Sequence, residues 1–253
     1  MISALEKEIT FRFLKARKKD GFLNVISIFS FIGISLGVAV LIIVMSVMNG
    51  FRTELINKIV GFNSHITVKS YGNVINQKKL NSKNLKLISK NIIFSNSGEA
   101  IILKNNESKG IVLRGYKIND FSDLEIIKNK KFKGNTSLFK NSLSIGNELS
   151  FALDLQIGDE ITLMSPSGVE TIIGSMPKQK TFMVTSIFNS GLADFDNNIA
   201  FINLDTLEEF FGYEVKDRNL EIYLKKPNKI QSQKLIVQQI FDEEFVYSWA
   251  DTN

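Results

Sequence analysis

The chain contains no cysteine, which excludes disulfide bonds, thiolate metal sites and a lipid-modified amino-terminal cysteine. Its single histidine, His65, opens a predicted strand, where a lone imidazole is usually structural, and it leaves a common zinc site without a second imidazole. The glycine-rich phosphate-binding motifs of P-loop and dinucleotide-binding proteins are also missing. We therefore predict no metal and no cofactor, and any ATP hydrolysis is expected in another protein.

Two carboxylates, Asp194 and Asp196, are close enough in sequence to act together as acid and base. They follow Gly191 and precede Asn197 and Asn198, however, and glycine and asparagine favour turns. We interpret both as turn residues. No catalytic residues are predicted.

Strong charge of either sign is lacking as well. The net charge is +5 over 253 residues, and the lysines are spread along the chain, which argues against a nucleic-acid partner. Hydrophobic residues make up 44% of the chain, enough for the core of one large domain or two small ones.

One long segment, from Gly21 to Phe51, carries no charge and is dominated by aliphatic and aromatic residues. About 20 such residues cross a bilayer, and a single crossing segment must be helical because lipid offers no partners to the backbone. We predict a transmembrane helix over residues 22–50. A cleaved signal peptide is the alternative, but its apolar region is shorter and ends at a small-residue site that is missing here.

Basic residues crowd before this segment and are sparse after it, so we expect a cytoplasmic amino terminus and an extracytoplasmic main domain. The preceding basic residues are Lys7, Arg12, Lys15, Arg17, Lys18 and Lys19. Within residues 1–21, apolar side chains recur at helical spacing: Ile2, Leu5, Ile9, Phe13 and Ala16. This region is either an amphipathic helix in the headgroup plane or an ordinary basic flank.

Two glycines in the crossing helix, Gly33 and Gly37, have the small-xxx-small spacing that lets another helix approach closely. A lone crossing helix has no need of such glycines. We therefore predict helix packing at this pair and expect further membrane helices as partners.

After Phe51 the hydrophobic runs shorten to strand length. Strands are predicted near 65–70, 100–105, 110–116, 159–164, 181–188, 199–204 and 219–226. Helices are predicted around 80–88, over 146–154, from a cap at Asp205 to Gly212, and from a cap at Asn228 toward Glu244. This mixture predicts an α+β fold, which we expect to divide into two subdomains.

A long connection, SPSGVETIIGSMPKQK over residues 165–180, separates two of these strands and holds two of the three prolines. Long connections inside compact domains are usually functional, and apolar side chains on a protruding segment commonly mark a docking site. The alternative is a twisted hairpin whose isoleucines pack back on its own sheet.

Three strings in the sequence resemble one family. FRFLKARKKDGF, FSFIGISLGVAVLIIVMSVMNGFRTEL and SIGNELSFALDLQIGDEITLMSPSG are similar to the permease subunits of the bacterial lipoprotein-releasing ABC transporter, the LolC/LolE family. GSMPKQKTF, GLADFD and SWADTN follow in the order of that family. The resemblance covers essentially the whole chain.

This resemblance implies a fold and a domain plan. Residues 51–253 are expected to form a MacB-like periplasmic domain, with a porter-like α/β subdomain from 51–135 and 205–250 and an inserted, mostly β subdomain from 136–204. Family members have four crossing helices. The chain ends about where the second would begin, so it is expected to be the amino-terminal portion of a permease.

The resemblance also implies a function in the inner membrane: extraction of outer-membrane-destined lipoproteins and their transfer to a soluble carrier. The implied partners are a LolD-like ATPase, a second permease subunit (a paralogue or a second copy), a LolA-like periplasmic carrier, lipoprotein substrates and the membrane. The carrier-docking loop would use Pro166, Ile172, Ile173, Met176, Pro177 and Lys178.

One face of the crossing helix, at helical spacing, is a candidate surface for lipid or lipoprotein, with plain lipid or helix contact as the alternative. Its residues are Gly37, Val40, Val44, Val47, Met48 and Phe51. Two other functions stay open: another MacB-type permease for peptide export or envelope division, and a signal-anchored periplasmic binding or scaffold module.

Overall fold

The computed structural model describes residues 4–14, 21–104, 107–124, 126–128, 132–171 and 174–251. The chain divides into two compact units, Met1–Ile56 and Asn57–Asn253. The first unit is helical, and the second contains the sheet.

Helix α1 (Ala4–Leu14) lies in the amino-terminal region for which the sequence left open an amphipathic helix or an ordinary basic flank. Helix α2 (Gly21–Phe62) is 42 residues long, or about 63 Å at the rise of an α-helix. Its segment Val25–Phe51 is the one stretch of the described residues that is long and apolar enough to cross a membrane. The helix continues to Phe62 instead of ending at residue 50, because the charged residues after Phe51 bring no proline to interrupt it.

The strands of the second unit are β1 (Ile66–Lys69), β2 (Ser89–Lys104), β3 (Glu107–Tyr116), β4 (Lys133–Gly134), β5 (Ser142–Gly146), β6 (Glu160–Thr171), β7 (Gly174–Phe188), β8 (Ile199–Asn203), β9 (Asn219–Leu224) and β10 (Phe245–Ser248). Its helices are α3 (Gln77–Leu80), α4 (Lys83–Ile88), α5 (Ile118–Asp123), α6 (Asn147–Ala152), α7 (Ala193–Asn198), α8 (Leu204–Phe211) and α9 (Ile230–Ile240). The mixed α+β class is as predicted.

Six of the strands form a closed barrel. β2 pairs with β3, β3 with β8, β8 with β5, β5 with β7, β7 with β6, and β6 returns to β2. Side chains alternate across a strand, so each of the six strands turns two apolar residues into the barrel. These are Ala100, Ile102, Ile111, Leu113, Leu143, Ile145, Ile161, Leu163, Phe182, Val184, Ala200 and Ile202.

A second layer lies beside the barrel, where β2 continues into an antiparallel sheet in the order β10, β1, β9, β2. One face of this sheet is apolar and packs in the same cluster as residues of α4 and α9. His65 is buried at the start of β1, and its Nδ1 accepts a hydrogen bond from the backbone N of Leu224 at 2.9 Å. The first and last strands of the unit, β1 and β10, pair with each other in this sheet.

The division into a porter-like part (51–135 and 205–250) and an inserted part (136–204) stays a prediction. The structure adds that β2 serves both layers, because it pairs with β3 and β6 of the barrel and also with β9 of the second layer.

Two helix starts differ from the prediction. The cap of α8 is Asn203 rather than Asp205: its Oδ1 accepts hydrogen bonds from the backbone N of Asp205 at 3.0 Å and of Thr206 at 3.3 Å. The helix does stop at Gly212, whose φ of 73° is the left-handed conformation that glycine adopts easily. Helix α9 begins at Ile230 after a 3₁₀ turn that contains Asn228, and it ends at Ile240.

The interpretation of Asp194 and Asp196 as turn residues is wrong, because both lie in α7. Asp196 is 2% exposed, and its carboxylate accepts hydrogen bonds from the backbone N of Ser190 at 2.9 and 3.2 Å. Burial raises the pKa of Asp196 above its ordinary value. The carboxylate thus fixes the loop before α7.

Candidate functional site: a projecting hairpin

The predicted loop between residues 165 and 180 forms the outer part of a long β6–β7 hairpin. The strands predicted to end at Met164 and resume at Thr181 continue to Thr171 and from Gly174. Strand β2 supports β6 only at residues 162–164, and β5 supports β7 only from Met183 onward. Residues 165–171 and 174–180 therefore extend past the barrel as a two-stranded ribbon, and the segment 165–180 is called the docking hairpin below.

A bulge marks the point where the docking hairpin leaves the barrel. Met164 pairs with Gln179 and Gly168 with Pro177, so β6 carries two more residues than β7 between these pairs. Pro166 lies in this bulge. Proline has no backbone N–H to donate, and it is tolerated here because a bulge residue is not paired in the ladder. Pro166 is exposed, whereas its neighbour Ser165 is fully buried.

The predicted docking residues fall into three groups. Met176 is 62% exposed and lies opposite Val169 in the two-stranded part, next to the exposed Pro177. Lys178 is only partly exposed because its Nζ donates a hydrogen bond to the backbone O of Glu209 at 2.6 Å. Ile172 and Ile173 lie outside the described residues.

Glu209 of α8 connects the hairpin base to the barrel. Its Oε2 lies 3.7 Å from the Nζ of Lys140 and 3.7 Å from that of Lys180. Because isolated two-stranded ribbons are only marginally stable, these contacts support the hairpin where it leaves the sheet. They also gather three lysines around one glutamate, leaving positive charge at the base.

Sequence reasoning missed Lys140, Lys180 and Glu209. Each lies on a different segment of the chain, so no local pattern connects them. The only sequence signal was the lysine pair Lys178 and Lys180 after the proline.

The predicted helix face is solvent-accessible along the whole apolar segment. Val40, Val44, Val47, Met48 and Phe51 are between 51% and 64% exposed. A Cβ added at Gly33 or Gly37 would have nothing within 4 Å among the described residues. The glycine pair thus has room for a neighbouring helix, and its packing role stays a prediction, as does lipid contact on this face.

The chain thus belongs to the class of proteins that combine an apolar helix long enough to cross a membrane with an α+β domain built around a closed barrel. The chain belongs to the family of the MacB-like periplasmic core domain, whose family model matches residues 27–238. This agrees with the predicted resemblance to permeases of the LolC/LolE group.

Relatives of this chain are named as transmembrane proteins of the lipoprotein-releasing system. "Lipoprotein-releasing system transmembrane protein LolC" of Neisseria meningitidis is 26% identical over 99% of this chain and 62% of its own length. The LolC protein of Xylella fastidiosa strain Temecula1 is 26% identical over 83% of this chain and 52% of its own length. The chain thus spans about half to three fifths of the length of these two relatives. The solved periplasmic region of MacB from Actinobacillus actinomycetemcomitans is 12% identical with a TM-score of 0.44, covering 78% of this chain and 92% of that one.

Proposed function

We propose that this chain is part of a permease subunit of an ABC transporter that extracts outer-membrane-destined lipoproteins from the inner membrane and passes them to a periplasmic carrier. The observation that supports this most is the end-to-end similarity to a lipoprotein-releasing transmembrane protein, at 99% of this chain. The long apolar helix and the projecting hairpin provide the two surfaces that such a task needs.

Extraction has an energetic requirement. Moving acyl chains out of a bilayer costs about 0.8 kcal/mol per CH₂ group. A LolD-like ATPase would supply that energy, and a second permease subunit would pack against Gly33 and Gly37. The exposed face from Gly37 to Phe51 would then offer the acyl chains an apolar surface.

Transfer requires a docking surface for a LolA-like carrier. The docking hairpin presents the exposed Met176 and Pro177 beyond the barrel, and the lysines near Glu209 add positive charge at its base. An apolar contact surrounded by positive charge would suit a carrier with an acidic rim around an apolar groove, because complementary charge speeds association.

The docking role is tested with a photo-crosslinking amino acid placed at Met176 in the native membrane. Met183 provides the matched control, because it lies on the same strand and is 45% exposed, but sits where the barrel supports β7. We expect the LolA-like carrier to crosslink at position 176 and not at position 183. Equal crosslinking at both positions, or none at 176, would remove the docking role.

The function itself is tested by deleting residues 166–178 from the protein in its native membrane. Lipoproteins should then accumulate in the inner membrane, and less of them should reach the carrier. Normal lipoprotein release with this deletion would favour another MacB-type permease or an anchored binding module.

We further propose an amino terminus in the cytoplasm and a periplasmic Asn57–Asn253 unit. The absence of cysteine makes single-cysteine labelling clean. In intact spheroplasts, a membrane-impermeant maleimide should label Tyr71→Cys, whose parent residue is 72% exposed, and should spare Leu5→Cys, at 69%. The reverse pattern would show the opposite orientation.

A further inference from the structure

Polar side chains cluster on one face of the sheet formed by β10, β1, β9, β2 and β3, opposite the face that packs on α4 and α9, with the apolar Ile93 beside them. The register places Thr67 beside both Glu221 and Tyr247, and Ser97 beside Arg114. Side chains at these positions point to one side because neighbouring strands keep their pleats in step. A sheet face this rich in polar groups is unusual inside a domain, since burying them costs free energy unless they are paired.

An ion pair lies at the centre of this face. Arg114 Nη2 is 3.0 Å from Glu221 Oε1, and Arg114 Nη1 donates to Asn63 Oδ1 at 3.0 Å. The hydroxyl groups of Ser95, Tyr116 and Tyr223 all donate to the carboxylate of Glu221, at 2.6 to 3.1 Å. Burial alone would lower the pKa of Arg114, but its interactions with Tyr116 and Glu221 raise it above the ordinary value. The Arg114 guanidinium therefore stays charged, and it faces the Glu221 carboxylate.

A cavity of about 340 Å³ opens over this face. Its lining consists of Asn63, Ser64, Thr67, Ser95, Ser97, Arg114, Asn219, Glu221, Tyr247 and Trp249. Ser97 is exposed, whereas Glu221 is only 6% exposed. The side-chain oxygen of Asn219 is buried and has no hydrogen-bond partner among the residues that the structure describes.

The lining selects a class of ligand. A free anion is disfavoured because Arg114 is already neutralised by Glu221. A divalent cation prefers several carboxylates, and Glu221 is the single acidic residue among the described residues of the lining. An apolar ligand would face hydroxyl and amide groups. A peptide usually adds to a sheet edge, whereas this cavity covers the face of the inner strands β1, β9 and β2.

What remains is a neutral ligand whose hydroxyl groups both donate and accept hydrogen bonds. The serine, threonine and asparagine side chains of the lining also both donate and accept hydrogen bonds, so they can pair with such hydroxyl groups. Tyr247 and Trp249 add aromatic surface against which the C–H face of a sugar ring packs. The volume corresponds to about ten water molecules at ~30 Å³ each, which is room for one or two sugar rings. We propose that this cavity binds a neutral saccharide unit of a glycan.

The single tryptophan of the chain, Trp249, lines this cavity, so its fluorescence reports occupancy directly. The 253-residue chain is purified in an amine-oxide detergent, because sugar-based detergents would compete. It is titrated with N,N′-diacetylchitobiose, maltose, trialanine and inorganic phosphate. We expect a saturable change with at least one saccharide, with a dissociation constant in the millimolar range, and none with trialanine or phosphate.

Ser97→Phe fills the cavity from its rim and should weaken saccharide binding at least tenfold. Ser108→Phe is the matched control: Ser108 is an exposed serine on β3 that is not part of the lining, and this variant should bind like the parent. Circular dichroism confirms that both variants are folded. The inference is overturned by three results: no saturable change with either saccharide, saturation by trialanine or phosphate instead, or equal saccharide binding in the Ser97→Phe variant.

Discussion

The guanidinium of Arg114 on β3 and the carboxylate of Glu221 on β9 meet at 3.0 Å across the intervening strand β2, and their side chains are only 12% and 7% exposed. Ser95 of β2 lies between them and donates a hydrogen bond to the same carboxylate. Three strands are thus connected through one buried carboxylate. Removing its cation would leave that charge buried and uncompensated.

We expect Arg114→Met to lower the free energy of unfolding by about 3 to 5 kcal/mol. Lys128→Met is the control: Lys128 forms a 2.9 Å pair with Asp123, but both side chains are about 60% exposed. That pair should contribute at most about 0.5 kcal/mol. Urea denaturation followed by circular dichroism measures both. Similar losses in the two variants would mean that the buried pair has no special importance.

The second prediction concerns the contribution of the barrel interior to stability. Leu163 of β6 is fully buried among the inward-facing residues, and Leu163→Ala should cost about 2 to 5 kcal/mol through lost burial and the cavity left behind. Met183 of β7 points outward and is 45% exposed, so Met183→Ala should cost at most about 0.5 kcal/mol. A comparable loss in both variants would contradict a closed barrel with an apolar interior.

Some parts of the fold could be predicted from local signals in the sequence. Helix α2 and the stop of α8 at Gly212 follow from signals within a few residues: an uncharged apolar run, and a glycine that takes a left-handed φ. The docking hairpin was partly predictable for the same reason, since its prolines and glycines lie within one segment. Its strands were predicted too short because the sequence of this segment shows no hydrophobic alternation, although β6 and β7 continue beyond the residues that β2 and β5 support.

The barrel and the buried ion pair could not be predicted, because they depend on contacts between distant segments. Arg114 and Glu221 are 107 positions apart, and nothing near either residue indicates the other. The closure of the barrel through β2 and β6 likewise depends on three residue pairs between remote strands. The wrong interpretation of Asp196 has a related cause. A carboxylate near glycine and asparagine indicates a turn, and the sequence does not show that Asp196 is buried in α7, where it accepts a hydrogen bond from the backbone N of Ser190.

The third prediction concerns a close approach of backbone segments. A Cβ at Gly146, at the end of β5, would lie 2.0 Å from the backbone O of Asp196, which cannot move without shifting α7. Gly146→Ala should therefore lower stability by about 3 kcal/mol or more. Gly110→Ala is the control, because no atom of the described part of the chain lies within 4 Å of a Cβ there. Thermal unfolding of both variants tests this, and an unchanged melting temperature for Gly146→Ala would refute the close approach.

The last prediction concerns acid stability near Asp251. Hydrogen bonds from Lys234 at 2.8 Å and from the hydroxyl of Ser248 at 2.7 Å lower the pKa of this carboxyl to about 2. A lowered pKa stabilises the folded state above the ordinary value of 3.8, and this contribution is lost as the pH falls toward 2.

Asp251→Asn should consequently lower the free energy of unfolding at pH 7 by about 1 kcal/mol, a value reduced for solvent screening because the side chain is 35% exposed. The difference from the parent chain should shrink between about pH 4 and pH 2 as the parent carboxylate takes up its proton. Urea denaturation at pH 7, 4 and 3 measures the trend, with Asp123→Asn as a control on an exposed pair. A difference that stays constant from pH 7 to pH 3 would show that the carboxylate charge contributes nothing, and that the hydrogen bonds of residue 251 act without it.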